Sequence, residues 1–313
     1  MMNKDYQSVE FRVRETDEGL LLQKYLERVQ GISAKAVRRL KHQGAVLLNG
    51  QKTRMNVHVR AGDQIVLQYP PKEASSYLAP EPLAVDIIYE DKEIMVVNKP
   101  SHQCVHPTKG YPGGTLANGV LYHWQVKGEA AQLHLVNRLD RDTSGLLLIA
   151  KSAYAAQQLF TQQKSREIKK SYLALVTGRV EKTEGTLDFP IAKLPGRTTR
   201  RIVAGHGQSA VTHYKVRGRF KDRANGQDYS YLSVFPETGR THQIRVHFSH
   251  WGYPLAGDEL YGGQIPAGLK RQFLHANYLA FYHPLTKEKM EFCQELPGDL
   301  ADYLNGLEPV LSY

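Results

Sequence analysis

Near the N-terminus, Leu20, Leu21, Leu22, Tyr25, Leu26 and Val29 recur at helical spacing and predict a first helix. Ser33 can cap a second helix running to about Gln43, with Gly44 as its stop. On that helix Val37 and Leu40 point inward, which leaves Lys35, Arg38, Arg39 and Lys41 largely outside. A short apolar strand over Val46–Asn49 then meets Asn49-Gly50, a strong tight-turn signal. Alternation over Asn56–Val59 and the run Ile65–Leu67, with Gly62-Asp63 turning between them, predict the rest of a small sheet.

The pattern then breaks. Residues 70–82, PPKEASSYLAPEP, carry four prolines and two serines without apolar periodicity, as an interdomain linker would. We place a small module at 12–72, the linker at 73–82 and a larger domain at 83–313. In the larger part, Ile87–Tyr89 and Ile94–Val97 flank a Glu90-Asp91-Lys92-Glu93 turn and predict a hairpin. Leu116, Val120, Leu121 and Trp124 predict a helix beginning near Thr115, and Leu146–Ala150 is a continuous apolar run suited to a buried strand. Ser152 opens a further helix to about Lys164, and Ser171–Thr177 alternates as a strand.

Length agrees with two unequal domains, since 313 residues exceed one average domain. No run of about 18 apolar residues provides a membrane-spanning helix, and the polar start MMNKDYQSVEFRVRE lacks the apolar stretch of a secretory signal. Two cysteines far apart, Cys104 and Cys293, suit a reducing cytoplasm rather than a disulfide framework. Charge says more. The formal net charge is +10 and the pI near 9.4, which favours a polyanionic partner. Between Ser33 and Lys72 stand eight Lys/Arg against the single acid Asp63, the local asymmetry that phosphate contacts require.

The densest candidate chemistry lies at Val136–Gly145, VNRLDRDTSG, which runs directly into LLLIAKS. Two carboxylates and two guanidiniums thus stand at the mouth of an apolar strand, where partial burial and charge pairing act on ionisable groups. By residue type alone, the same stretch also reads as a surface turn whose Asp and Thr cap local backbone groups.

The segment resembles the RLDxxTSGLLLxAK signature of the RluA family of pseudouridine synthases. Asn137 stands where many members carry His. The resemblance implies that Asp140 is the catalytic carboxylate and that Arg138 helps displace or replace the flipped nucleotide; Asp142 falls at a variable position and takes a supporting or capping role. Lys169-Lys170-Ser171-Tyr172-Leu173-Ala174-Leu175 resembles the family's KxYxAL strand, which implies that Tyr172 stacks on the target base and assists proton transfer. Glu237–Phe248, ETGRTHQIRVHF, resembles TGRTHQIRVHL and makes Arg245 the arginine paired with the catalytic aspartate. A guanidinium orients a carboxylate through charge-assisted bonds. Shorter matches at Glu90–Pro107, Gly252–Gly262 and Leu274–Ala276 extend the likeness over most of the chain.

The N-terminal order of basic helix, VLLNG strand and closing VRAGDQIVL strand is similar to the S4 RNA-binding module, in which a helix pair lies against RNA. The resemblances together imply an α+β protein: a mixed, largely antiparallel central sheet in the catalytic domain and a small N-terminal S4-like α+β module. They imply structured RNA as the partner, ribosomal RNA favoured and transfer RNA an alternative. The lack of a long apolar run predicts no membrane partner, and we expect a monomer because RNA itself supplies the partner surface. Making pseudouridine breaks N1–C1′, turns the base and rejoins it through C5, so no cofactor is demanded.

Three rivals compete with this reading. His102, Cys104 and His106 alternate, and His247 and His250 stand at i, i+3, so either group offers metal-ligand spacing. With no Cys pair or acid nearby, core or RNA-facing histidines are the better reading. A ribosome-assembly or RNA-binding protein without catalysis would need the basic module but not Asp140, Tyr172 and Arg245 together. A glycosidase would require a second carboxylate, for which Asp142 is the candidate, but basic surroundings favour RNA over neutral sugar.

Overall fold

The structure is a computed structural model and describes residues 7–43, 45–69, 78–129, 131–196 and 199–310. In the N-terminal part the elements are β1 (Gln7–Arg12), α1 (Leu22–Lys24) continued by a π turn over Tyr25–Val29, α2 (Ala34–Gln43), β2 (Ala45–Leu48), β3 (Gln51–Lys52) and β4 (Gln64–Tyr69). The strands form an antiparallel sheet in the order β1-β4-β2-β3. Asn49 and Gly50 both take positive φ, 51° and 80°, as a two-residue hairpin with this strand twist demands. Phe11, Leu22, Leu26, Val37, Leu40, Ile65 and Leu67 are buried together in its core.

Two details differ from expectation. β1 pairs along its length with β4, so the sheet begins before residue 12. Residues 56–59 form no strand. Only His58 bridges to Leu21, and the backbone there serves α1 instead: Leu22 N donates to Val57 O at 2.8 Å and Gln23 N to Met55 O at 3.0 Å. Those donors open a helix and have no partner within it, so Val57 O, with Met55 O just before the segment, is drawn to the helix start rather than to a sheet.

Residues 70–77 and Gly44 lie outside the described residues, and with them half of the expected linker and the expected helix stop. The rest of the linker is anchored. Asn118 Nδ2 donates to Ala79 O at 2.7 Å, and Gly114 N to Glu81 at 2.9 Å.

The larger part runs β5 (Ile87–Glu90), β6 (Ile94–Lys99), α3 (Leu116–Lys127), β7 (His134–Leu135), β8 (Ser144–Ala150), α4 (Ala153–Lys164), β9 (Lys169–Thr177) and β10 (Glu184–Asp188). It continues with β11 (Ile191–Lys193), β12 (Arg201–Val203), β13 (Val211–Lys221), β14 (Asp228–Pro236), α5 (Gln243–His250), β15 (Leu274–Tyr282), β16 (Lys289–Cys293), α6 (Gly298–Asn305) and β17 (Glu308–Pro309). The main sheet follows the order β10-β13-β14-β9-β15-β8-β6-β5, with β7, β16 and β17 added to β8, β15 and β13. Among the described residues its pairs are antiparallel except β15 with β8. The fold is therefore mixed α+β with a largely antiparallel sheet.

Local chemistry explains the helix starts. Thr115 and Asn118 form a reciprocal capping box on α3, and the Ser152 hydroxyl accepts from Ala155 N on α4. β8 is buried along its whole length, as a central strand covered on both faces must be. α4 also joins the two parts. Tyr154, fully buried, packs edge-on against Phe11 with ring centres 5.5 Å apart, and Gln158 Nε2 donates to Gln30 O at 2.8 Å.

Candidate active site

The loop between β7 and β8 presents Asp140 because the residues around it are tied down. Leu139 is buried in the main core beside Tyr172, which anchors the loop from below. Lys99, at the end of β6 and fully buried, donates from Nζ to the carbonyls of Pro100, Gln103 and Arg141 at 2.6, 2.9 and 2.9 Å. Burial pushes its amine down to about 7, against the pull of Asp142. From the other side, Arg271 Nη1 donates to Asp142 O at 3.0 Å while its Nε and Nη2 hold Asp299 at the start of α6. Asn137, the departure from the resembled motif, accepts Leu148 N through its side-chain oxygen at 2.8 Å and ties the loop to β8.

Gly145 lets the loop enter β8. Its φ is +115°, and a Cβ there would lie 2.2 Å from Ala276 O, so β15 approaches its partner only because the position has no side chain.

Arg245 arrives from α5, whose first turn Gln243 organises: its side-chain oxygen accepts from Thr238 Oγ1 and Arg240 N at 2.7 and 3.0 Å, and its amide donates to Val211 O at 2.9 Å. The Arg245 side chain is buried and bridges two carboxylates. Nε and Nη2 hold Asp258 at 2.7 and 2.8 Å, and Nη1 reaches Asp140 Oδ2 at 3.1 Å. Burial works against the guanidinium's charge, but the Asp258 pair outweighs it and the net shift is upward. Tyr172, on β9, borders the same space; burial raises its phenol, and the nearby Asp140 charge acts in the same direction.

These groups line one cleft of about 660 Å³, a size suited to a nucleotide. Asp140, Tyr172, Arg245 and Arg138 all border it, Arg138 exposed at its mouth. The expected site residues separated by about a hundred positions in sequence thus meet. Arg38 and Arg39 lie on α2, exposed and outside this cleft. Lys35 and Lys41 belong to the same helix, but their side chains lie outside the described residues.

Sequence reasoning missed two neighbours. Asp258 stood in a matched segment with no role attached, yet it is the principal partner of Arg245. His242, at φ 58°, points its Nε2 to within 3.9 Å of Asp140 Oδ1 while Nδ1 contacts Tyr261 Oη at 2.8 Å. The histidines with metal-ligand spacing are otherwise engaged: His102 Nδ1 lies 2.8 Å from Asp142, and His247 and His250 both pack edge-on against Phe189.

Residues 93–250, which contain the Asp140 loop, β9 and Arg245, match the RNA pseudouridylate synthase family. This chain belongs to that family. The uncharacterized RNA pseudouridine synthase YjbO of Bacillus subtilis strain 168 is 40% identical over 277 residues, covering 88% of this chain and 95% of its own. Ribosomal large subunit pseudouridine synthase D of Pasteurella multocida is 37% identical over 280 residues, covering 85% and 84%. Among solved structures, human RNA pseudouridylate synthase domain containing 1 superposes with a TM-score of 0.59 at 27% identity, covering 76% of this chain and 92% of that one. RNA pseudouridylate synthases are isomerases acting on RNA, and the matched span holds the lining of the cleft except Leu274. The N-terminal sheet and α2 precede it.

Proposed function

We propose that this chain converts specific uridines of structured RNA to pseudouridine, with Asp140 as the catalytic carboxylate and ribosomal RNA as the substrate class. The observation that carries the reading is the 3.1 Å pair between Asp140 and Arg245 inside a cleft bordered by Tyr172. The reaction is an intramolecular transfer. The N1–C1′ bond breaks, the base turns, C5–C1′ forms, N1 gains a proton and C5 releases one, so atoms and electrons balance without a co-reactant.

Asp140 serves this in either of two ways. As nucleophile it forms an ester at C1′ as N1 leaves, and C5 then displaces it. As base it removes the C2′ proton to give a glycal and returns that proton after C5 attacks C1′. In both, a carboxylate suits an anomeric centre that develops positive charge.

The target base must first leave its stack, which costs a few kcal/mol for a paired nucleotide. Tyr172 offsets this by stacking on the base, and Arg138 by filling the vacated space. Residues 83–313 act as the catalytic domain. The N-terminal part acts as an S4-like RNA-binding module, Lys35, Arg38, Arg39 and Lys41 on α2 meeting phosphates. Likeness to a ribosomal large subunit enzyme supports ribosomal over transfer RNA. The enzyme works as a monomer in the cytoplasm, RNA supplying its partner surface.

The test is tritium release from 5-tritiated uridine in ribosomal and transfer RNA transcripts, run with the wild type and Asp140→Asn. Release that vanishes in the variant supports the assignment and names the substrate class. No release from either RNA by a folded, RNA-binding wild type would return the chain to the non-catalytic reading.

A further inference from the structure

The Asp140 cleft does not end at Tyr172. A second groove of about 860 Å³ adjoins it, and Gln163, Lys170, Pro236, Thr238, Gly239 and Arg240 line both. A third of about 510 Å³ lies between α4 and α2 and shares Phe160 and Lys164 with the second. The three therefore adjoin in series, through those shared residues, and make a stepped trough from the carboxylate to the basic helix of the N-terminal part.

The middle groove is strongly basic. Lys164, Arg166, Lys169, Lys170 and Arg240 face one acid, Glu237, so the formal balance of Lys, Arg and acid is five minus one, or +4. Glu237 is itself occupied, by Arg166 at 2.6 Å and His213 at 2.7 Å. Lys170 sits where the first two grooves meet, and burial pushes its amine down, with no carboxylate among the described residues acting on it. A desolvated cation without a protein counter-charge favours an incoming anion.

Two aromatic rings stand in the same groove. Phe160 on α4 is 45% exposed and Phe235 near the end of β14 is 40% exposed. A single exposed apolar side chain means little. These two are distinguished by flanking one basic trough, while Tyr154, Ala155 and Leu159 provide the buried packing of α4. Exposed rings interleaved with cations form the arrangement that holds single-stranded nucleic acid, because each base has a face to stack and each phosphate a charge to meet.

We propose that the RNA strand flanking the target uridine leaves the Asp140 cleft along this trough, stacks unpaired bases on Phe235 and Phe160, and crosses α4 at Lys164 toward α2. This rests on the reading of the chain as an RNA-modifying enzyme and adds the strand's path to it. α4 then has two tasks: it docks the N-terminal part through Tyr154 and carries the strand on its exposed side.

The experiment uses the full chain and a fluorescein-labelled single-stranded oligouridylate, read by fluorescence polarisation. Phe160→Ala and Phe235→Ala each weaken binding about tenfold, the effect of removing one base–aromatic stack, and Phe→Trp at either position restores it. Lys164→Glu with Lys169→Glu flattens the dependence of log Kd on log salt by about 0.7 for each phosphate that is no longer neutralised. On ribosomal RNA, KM rises with the aromatic substitutions. All substitutions fall on exposed side chains, and thermal melting verifies that the fold persists.

Unchanged oligouridylate affinity in a variant carrying both Phe160→Ala and Phe235→Ala, or no binding by the wild type, overturns the proposal and leaves the rings to a protein partner. The two readings fail separately. Absence of tritium release with ring-dependent binding removes the catalytic assignment and keeps the path. Normal release with ring-independent binding removes only the path.

Discussion

Asp258 grips Arg245 through two parallel hydrogen bonds, at 2.7 and 2.8 Å, and thereby leaves the third guanidinium nitrogen to meet Asp140 at 3.1 Å. The buried carboxylate sets the plane of the guanidinium, and that plane determines where the Asp140 carboxylate rests. Asp258 is only 1% exposed and lines none of the grooves described above, so in the proposed reaction it acts through Arg245.

Asp258→Asn should therefore lower kcat by about a hundredfold, the scale expected when a reacting group is misplaced by about an ångström. KM for RNA should hardly move. Because a buried guanidinium loses its principal partner, Tm should also fall, by the equivalent of about 3 kcal/mol. Steady-state tritium release and a thermal melt measure both, and an undiminished kcat would refute the positioning role.

Tyr172 bears on the pH profile. Burial raises its phenol and the Asp140 charge raises it further, so the ring remains neutral beyond its ordinary pKa of 10.0. Tyr172→Phe should leave the alkaline side of the rate profile unchanged while keeping the aromatic face. Tyr172→Ala should lower kcat/KM by about tenfold or more through loss of stacking on the base. A new or displaced alkaline limb in the phenylalanine variant would show that the hydroxyl titrates during turnover.

Gly145 is a stringent test of the packing behind the loop. An alanine there meets Ala276 backbone atoms at 2.2 to 2.8 Å and must hold a φ of +115°. Strain and overlap together should destabilise the protein by at least about 3 kcal/mol. Urea unfolding of Gly145→Ala with a midpoint equal to wild type would contradict the close β8–β15 approach.

His275 predicts an acid-sensitive core. It is 1% exposed, its Nδ1 contacts Ser144 Oγ at 2.9 Å, and burial with Arg271 nearby pushes its imidazole from 6.5 down to about 4. The unfolded chain then binds more protons than the native one between those values, so stability rises with pH across that window. The contribution is full above about pH 6.5 and lost on acidification toward about pH 4, amounting to about 3 kcal/mol. Urea midpoints at about pH 7 and about pH 4.5 should differ more for wild type than for His275→Gln. Equal differences would show that His275 does not carry the effect.

Much of this was legible in the sequence because it depends on neighbours along the chain. Ser33, Thr115 and Ser152 stand where helices begin, since a hydroxyl meets a free amide within three residues. Asn49-Gly50 turns its hairpin, and the apolar run after Gly145 is a buried strand. Alternation misled only at residues 56–59, where the first turn of α1 claims the carbonyls. A pattern of side chains does not reveal which backbone groups another element leaves unpaired.

By itself the sequence determined the types of the helices and strands it marked, residues 56–59 apart, the basic character of α2 and which residues belong to the family's motifs. All of these are set by local backbone preference, periodicity and residue identity. Only the tertiary structure decided that Arg245 bridges Asp140 and Asp258, that Lys99 and Arg271 clamp the loop from opposite sides, and that Phe160 and Phe235 line a groove adjoining the Asp140 cleft. Each of those relations needs the order of strands in the sheet, and that order arises from long-range pairing, which no short window of sequence encodes.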